Sequence, residues 1–394
     1  MAVSNKIKTF MEQGSWIRKM FEEGIALKQQ FGEENVFDLS LGNPIMEPPK
    51  EFFDELRRIA DAPTQGMHRY MPNAGLPETR AAVAEELSNE TTLPFTANEI
   101  IMTVGAGGAL NVVMRSVLDP GDEVVIFAPY FVEYFFYADN HGATCKVVPA
   151  DEEFLPDLGG LADTISSKTR IVLTSSPNNP TGVVYGRDVL AMMGEIIRQK
   201  EKEFGTEIFL VSDEPYRKIL FDGLEYPPIF EHHIRSIVAT SHSKDLALPG
   251  ERIGFIAVHP EYADRGELVD GLTFCNRTLG FVNAPALMQH IVKNLQAVTV
   301  DVAKYQAQRD FLYDSLTDIG YQVVKPQGAF YMFPKSPIDD EVVFTGELRK
   351  HRVLVVPGRG FGAPGYFRIS YCVSDATLEG SLSGFRTAFQ AATT

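Results

Sequence analysis

Cysteine and tryptophan are scarce in this chain of 394 residues, which has three of the former and one of the latter. Cys145, Cys275 and Cys372 lie far apart, are odd in number and form no CxxC pair. That pattern argues against a disulfide framework and against a thiolate metal site, and it fits a reducing compartment. Basic residues are in deficit, 36 Lys+Arg against 52 Asp+Glu, a formal charge of −16. So acidic a chain disfavours nucleic acid or an anionic membrane surface as principal partner, while a few placed arginines can still hold a small anion. Long apolar runs are missing too. The most hydrophobic stretch, 124–138, is broken by Pro129 and Glu133 and falls short of the roughly 18 residues a membrane helix needs. The opening MAVSNKIKTF has no apolar signal core. A cytoplasmic protein is expected.

A hydrophobic content of 44% against 22% charged residues is that of a folded chain with a large core. The opening to about Gly32 reads as amphipathic helix, with apolar residues at Ile17, Met20, Phe21, Ile25 and Leu27. LGNPIMEPP, 41–49, is too rich in breakers for regular structure. Short apolar runs then recur at 99–104, 123–128, 145–150, 170–176, 207–214, 236–243 and 252–259. Continuous runs of this length read as strands buried on both faces of a mostly parallel, seven-stranded sheet covered by helices. From about Ala284 to Ile319 a long helical pattern leads away. A smaller α+β region closes the chain, with short strands near 328–334, 352–358 and 366–372. The expected division is an N-terminal arm and part of the small domain (1–48), a large domain (49–285) and a small domain with its linking helix (286–394).

Chemistry concentrates where these strands end. In SHSKDLALPGERIGF, 241–255, Lys244 follows an apolar strand and stands eight residues before Arg252, with Ser241 and Ser243 alongside. A lone lysine is ordinarily a solvated surface group. At a strand's carboxyl end it sits where open α/β sheets bind ligands, and partly desolvated its free amine could form a Schiff base. Arg252 and the two hydroxyls suit a phosphate. In FLVSDEPYRKI, 209–219, Asp213 could simply cap a turn and Tyr216 simply pack. A carboxylate there can also hold a pyridine nitrogen protonated, with Tyr216 donating to the ring's phenolic oxygen. SSPNNPTG, 175–182, reads either as a plain turn or as a loop whose Asn179 amide reaches the same oxygen. TVGAGGALNVV, 103–113, runs from strand through glycines into helix, a geometry that binds phosphate but that close packing also selects.

Taken in order, NNPTG, SDEPY, SHSK and GERIG resemble the class I pyridoxal-phosphate aminotransferases, the aspartate aminotransferase-like family of fold type I. The resemblance runs over essentially the whole chain, from LGNPIMEPP to FRISYC. It implies pyridoxal 5′-phosphate as cofactor and a homodimer with shared active sites. Lys244, Asp213 and Tyr216 then carry the catalytic roles, as Schiff-base lysine, partner of the ring nitrogen and donor, with Asn179, to the phenolic oxygen. By the same resemblance the amides of Gly105, Ala106 and Gly107, with Ser241, Ser243 and Arg252, form the phosphate cup. Phe131 matches the aromatic stacked on the cofactor ring, and Tyr70 a tyrosine that reaches the neighbouring subunit's cofactor. Arg368, in FRIS, matches the clamp for the substrate α-carboxylate, assisted by the Gly42 backbone and Asn179. The bonds before Pro129 and Pro180 are expected to be cis.

The implied reaction moves an amino group between an L-amino acid and a 2-oxo acid, with aspartate, alanine or aromatic donors and 2-oxoglutarate or pyruvate as acceptor. Phenylalanine at 131, and glycine at 107 where some members carry an acid-recognising lysine, both weaken an assignment to aspartate. Arg277 is a further residue that could reach a distal carboxylate in the other subunit. A C–S lyase or β-eliminating enzyme on the same scaffold would keep every cofactor residue; NNPTG and the FRIS arginine favour transfer. A non-enzymatic regulator is disfavoured by the acidic charge and by the roughly 40 residues before LGNP, too few for a DNA-binding module.

Overall fold

The computed structural model describes residues 2–13 and 16–393. Its strands are, in chain order, β1 Phe37–Asp38, β2 Ile100–Thr103, β3 Glu123–Phe127, β4 Thr144–Val148, β5 Thr169–Ser175, β6 Phe209–Asp213, β7 Ser236–Ser241, β8 Gly254–Val258, β9 Tyr331–Met332, β10 Val353–Leu354, β11 Val356–Pro357 and β12 Phe367–Ser370. All seven apolar runs form strands, and they share one sheet in the order β2-β8-β7-β6-β5-β3-β4. From β7 to β4 the neighbours are parallel, whereas β8 runs antiparallel to both of its own.

Side-chain alternation explains why these runs are apolar throughout and where their polar ends point. On β6, Leu210 enters one core while Phe209 and Val211 enter another, and the same alternation divides Val238 from Ile237 and Ala239 on β7. Asp213 shares the parity of Phe209 and Val211, Ser175 that of Ile171 and Leu173, and Ser241 that of Ile237 and Ala239. All three therefore leave the strand ends on one face, the one covered by the helices Gly105–Val117 and Glu133–Asn140, which give Ala109, Leu110, Tyr134 and Ala138 to that core.

A separate core gathers Tyr305, Leu312, Phe330, Phe344, Phe367 and Phe385 with Leu39 from the N-terminal side. It is supported by β11-β12-β9 and by the parallel pair β1-β10. The region expected as one strand at 352–358 is two, because β10 pairs with β1 and β11 with β12, so the chain changes partner at Val355. The long helical pattern of 284–319 is also corrected. It forms two helices, Ala286–Val292 and Val302–Ile319, the second begun by Asp301, whose carboxylate accepts from the Lys304 amide at 3.2 Å. The β-branched run around Val298–Val302 favours the break. Met288, Ile291, Val292 and Leu295 pack in the large core, and Val300 already in the smaller one.

The opening segment forms helices Asn5–Gln13 and Trp16–Phe31; residues 14–15 and the side chains of Ile17 and Phe21 lie outside the described residues. Met20 is buried as expected, whereas Ile25 is exposed. Residues 41–49 carry no helix or strand apart from a bend. Among the described residues no helix is long and apolar enough to cross a membrane, and no cluster of His, Cys, Asp and Glu is placed to hold a metal.

Candidate active site

The carboxyl ends of β5, β6 and β7 open into a cavity of about 320 Å³. Of the residues singled out in the sequence, Asp213, Tyr216, Lys244, Asn179, Ser241 and Ser243 line it. So do Gly42, Ala106, Gly107, Phe131, Arg252 and Arg368. Gly105 stands just behind this wall in a left-handed conformation, φ +76°, where an added Cβ would lie 2.8 Å from Arg252 Nη2. Glycine there lets the arginine lie against the start of the helix Gly105–Val117, where guanidinium and free helix amides together have the chemistry to hold an anion. Tyr70 is elsewhere, 92% exposed. Arg277, on the helix Arg265–Thr278, is exposed, with its guanidinium 5.3 Å from the Phe274 ring.

Lys244 follows β7, and its Nζ donates to the Gly42 carbonyl at 2.7 Å. Burial pulls its pKa down from 10.5 to about 8; Arg368 and Arg252 push the same way, against the nearby Cys372 thiol. Asp213, at the end of β6, is pushed up to about 6 by burial, opposed by a hydrogen bond that its Oδ2 accepts from the Tyr134 hydroxyl at 2.7 Å. Its Oδ1 is buried without a partner among the described residues. Tyr216 and Tyr331 share a hydroxyl–hydroxyl bond of 2.9 Å.

Arg368, on β12, is only 2% exposed, and burial lowers its pKa. Its Nη1 donates to Asn179 Oδ1 at 3.0 Å and its Nη2 to the Ser40 carbonyl at 2.6 Å, while the guanidinium lies 4.7 Å from the Tyr331 ring and 4.8 Å from Phe361. Its Nε has no hydrogen-bond partner among the described residues. A buried cation with spare donor capacity has the chemistry to bind a carboxylate. The irregular 41–49 segment approaches because residue 42 is glycine: a Cβ there would fall 1.9 Å from Tyr331 Oη.

Two findings depart from expectation. The cis bond before Pro129 is present, but the second one precedes Pro177, not Pro180. Asn178 closes a turn around Pro180, its Oδ1 accepting from the Thr181 amide and hydroxyl and its carbonyl from the Gly182 amide. The sequence reading also missed Tyr134, Tyr137 and Tyr331 in the cavity wall and Ser40 beneath Arg368. Their only sequence signal is adjacency to Phe131, to the β9 run and to Gly42, which aromatic packing explains equally well.

Fold and cavity together bring a buried lysine, a buried carboxylate and an arginine beside a helix start to the strand ends of an α/β protein. The chain belongs to the aminotransferase class I and II family, whose model matches residues 34–384. It is 32% identical over 363 residues to a probable aspartate aminotransferase of Methanocaldococcus jannaschii, covering 90% of this chain and 93% of that protein. It is 33% identical over 356 residues to the aspartate/prephenate aminotransferase of Thermus thermophilus, covering 88% and 89%. Among solved structures it is similar to an aminotransferase of Eubacterium rectale, with 38% identity, TM-score 0.96 and full coverage of both chains. It is also similar to Thermus thermophilus aspartate aminotransferase with maleate, with 28% identity, TM-score 0.86 and coverage of 98% and 100%. The chain is a pyridoxal-phosphate-dependent aminotransferase, acting on an amino acid and an oxo acid. The cavity fits the cofactor: a buried carboxylate oxygen is left unpaired, and at Gly107 a Cβ would crowd Tyr137 Oη at 3.0 Å.

These charges make the cofactor-free fold sensitive to pH. Asp213 has a raised pKa, so its contribution is full below about its ordinary 3.8 and is lost as pH rises through about 6. Lys244 has a depressed pKa, so its contribution is full above 10.5 and is lost as pH falls through about 8. Between these limits both groups oppose folding. Asp213→Asn is expected to raise the stability of the cofactor-free chain at pH 7.5 by on the order of 2 kcal/mol, and by less at pH 5. Calorimetry at the two pH values checks this, and equal effects at both would show that the carboxylate is not held against its burial.

Proposed function

We propose that Lys244 carries the cofactor and moves the substrate proton, that Asp213 is the partner of the ring nitrogen, and that Arg368 with the Gly42 backbone and Asn179 binds the α-carboxylate. The observation that carries this reading is a lysine of lowered pKa sharing one buried cavity with a carboxylate of raised pKa. At neutral pH an amine with a pKa of about 8 has an appreciable unprotonated fraction, so Lys244 Nζ can accept the α-proton and return it. Asp213, held by Tyr134, has acceptor capacity for a ring N–H. The Asn179 Nδ2 makes no hydrogen bond among the described residues, which suits it, with Tyr216, to a phenolic oxygen. Gly105, Ala106 and Gly107 amides, Ser241, Ser243 and Arg252 take the phosphate, and Phe131 stacks on the ring. Bound there, pyridoxal phosphate supplies the electron sink that makes the α-proton acidic.

The working unit in this reading is a cytoplasmic homodimer, in which the highly exposed Tyr70 reaches the neighbouring subunit's site and closure of the small domain (286–394 with the arm 1–48) over the large one (49–285) excludes water. Aspartate is the donor named for several relatives. In this cavity Lys244, Arg252 and Arg368 already have roles and Gly107 adds no cation, so we favour small or aromatic donors and, of the acceptors 2-oxoglutarate and pyruvate, pyruvate, which has no second carboxylate to pair. The test is the visible spectrum of the holoenzyme while amino acids are added without an oxo acid. Conversion of the cofactor to its amine form, ranked by donor, is the expected result. Pyruvate and ammonia from sulfur amino acids, with no such conversion, would replace transfer by β-elimination.

A further inference from the structure

Tyr134 contacts neither cofactor nor substrate in the chemistry proposed above, yet among the described residues it makes the only hydrogen bond to the Asp213 carboxylate. Tyr134 and Asp213 are 2% and 6% exposed, and their contact is 2.7 Å. The tyrosine stands in the first turn of the helix Glu133–Asn140, three residues after Phe131, whose ring meets its own edge-on at 5.7 Å and 86°. One short segment after Pro129 thus sets both the proposed stacking ring and the donor to the carboxylate.

For packing alone, phenylalanine would do at 134. A buried hydroxyl is costly unless it is bonded, and here its acceptor is a carboxylate that burial alone would drive towards its protonated form. A protonated carboxyl offers its proton where an acceptor is needed, so a donor on one oxygen keeps the other available to a ring N–H. We propose that Tyr134 is the positioning residue of Asp213, fixing the carboxylate's orientation and holding it ionised so that it can accept from the cofactor's ring nitrogen. The inference rests on reading Asp213 as that nitrogen's partner.

The other groups that face this carboxylate do not replace the tyrosine. Ser175, paired in register with Asp213 on β5, is placed to bond the Tyr134 hydroxyl instead. Tyr137, one turn further along the helix, feels Asp213 together with Glu133 and Arg252 through space, with no hydrogen bond to the carboxylate. Lys244, Arg252 and Arg368 line the same cavity and are bonded to the Gly42 carbonyl, the Pro249 carbonyl, and Asn179 with Ser40.

The test follows the Asp213 carboxyl itself, as the infrared carboxyl absorption that Asp213→Asn removes, across a pH titration of the full cofactor-free chain. Tyr134→Phe should move the midpoint up from about 6 by about one to two pH units, so that at pH 7 the ionised fraction, and with it the affinity for pyridoxal phosphate, falls about two- to tenfold. Replacing Tyr134 by 3-fluorotyrosine, a more acidic donor of nearly the same shape, should move the midpoint down; it keeps the test decisive if the phenylalanine variant fails to fold. A midpoint unmoved by either change would overturn the proposal. So would a lower melting temperature without a shift, which is the mark of packing alone. Shifted midpoints with unchanged cofactor affinity would overturn it differently, by removing Asp213 from the ring nitrogen while leaving its coupling to Tyr134 intact.

Discussion

Lys244→Ala should abolish amino-group transfer, by more than about 10²–10⁴-fold, because general-base catalysis alone contributes on that order and the covalent hold on the cofactor is lost as well. The visible absorption of the lysine-bound cofactor should disappear with it. The fold should survive. Among the described residues Lys244 Nζ makes a single hydrogen bond, to the Gly42 carbonyl, and burial, which lowers its pKa, means that the ammonium is held at a cost near pH 7. Removing it should therefore leave the melting temperature of the cofactor-free chain level or raised below pH 8. Phosphate binding is expected to persist, because Arg252 is held through the Pro249 carbonyl and against Gly105, on contacts independent of Lys244. Retained turnover in a folded Lys244→Ala protein would remove the lysine from the chemistry, and with it the proposed mechanism.

The same residue illustrates what was legible in the sequence. SHSK ends an apolar run, and a run that must be buried on both faces delivers its last polar residues to a sheet edge whatever the rest of the chain does. Asp213, Asn179 and Ser241 were readable for that reason, and strand alternation places Asp213 and Ser241 on one face. Arg368 was readable from FRIS through resemblance alone, since nothing local separates it from a buried structural arginine such as Arg309, which is ion-paired to Asp222 at 2.8 Å.

What stayed hidden depends on contacts between segments distant in sequence. Tyr134 meets Asp213 across 79 positions and Tyr331 meets Tyr216 across 115, and no local pattern encodes either pair. The split of the 284–319 helix was missed because Ala, Gln and Leu favour helix on both sides of a short β-branched interruption. The misplaced cis bond lay within one loop, where the two closely spaced candidates, Pro177 and Pro180, differ only in the turn that Asn178 imposes on Thr181.

Arg368→Ala should weaken binding of both the amino acid and the oxo acid by roughly 2–5 kcal/mol, about 30- to 5,000-fold, with the cofactor's absorption retained. The breadth of that range has a structural source. Truncation removes the proposed α-carboxylate partner, and it also leaves Asn179 Oδ1 and the Ser40 carbonyl without their donor and the facing rings of Tyr331 and Phe361 without the cation between them. Arg368→Lys separates these parts. It keeps the charge but cannot reproduce the planar fork that serves Asn179 and Ser40 while Nε stays unpaired, so affinity should recover only in part. The two substrates share an α-carboxylate and differ at the α-carbon, so an arginine that binds the carboxylate must raise KM for both by a similar factor. Unequal factors would place Arg368 against the reacting carbon or the substrate side chain instead. An unchanged KM for both, in a protein that binds its cofactor normally, would mean that the α-carboxylate is held by another group and that Arg368 serves only to join β12 to the Asn179 loop.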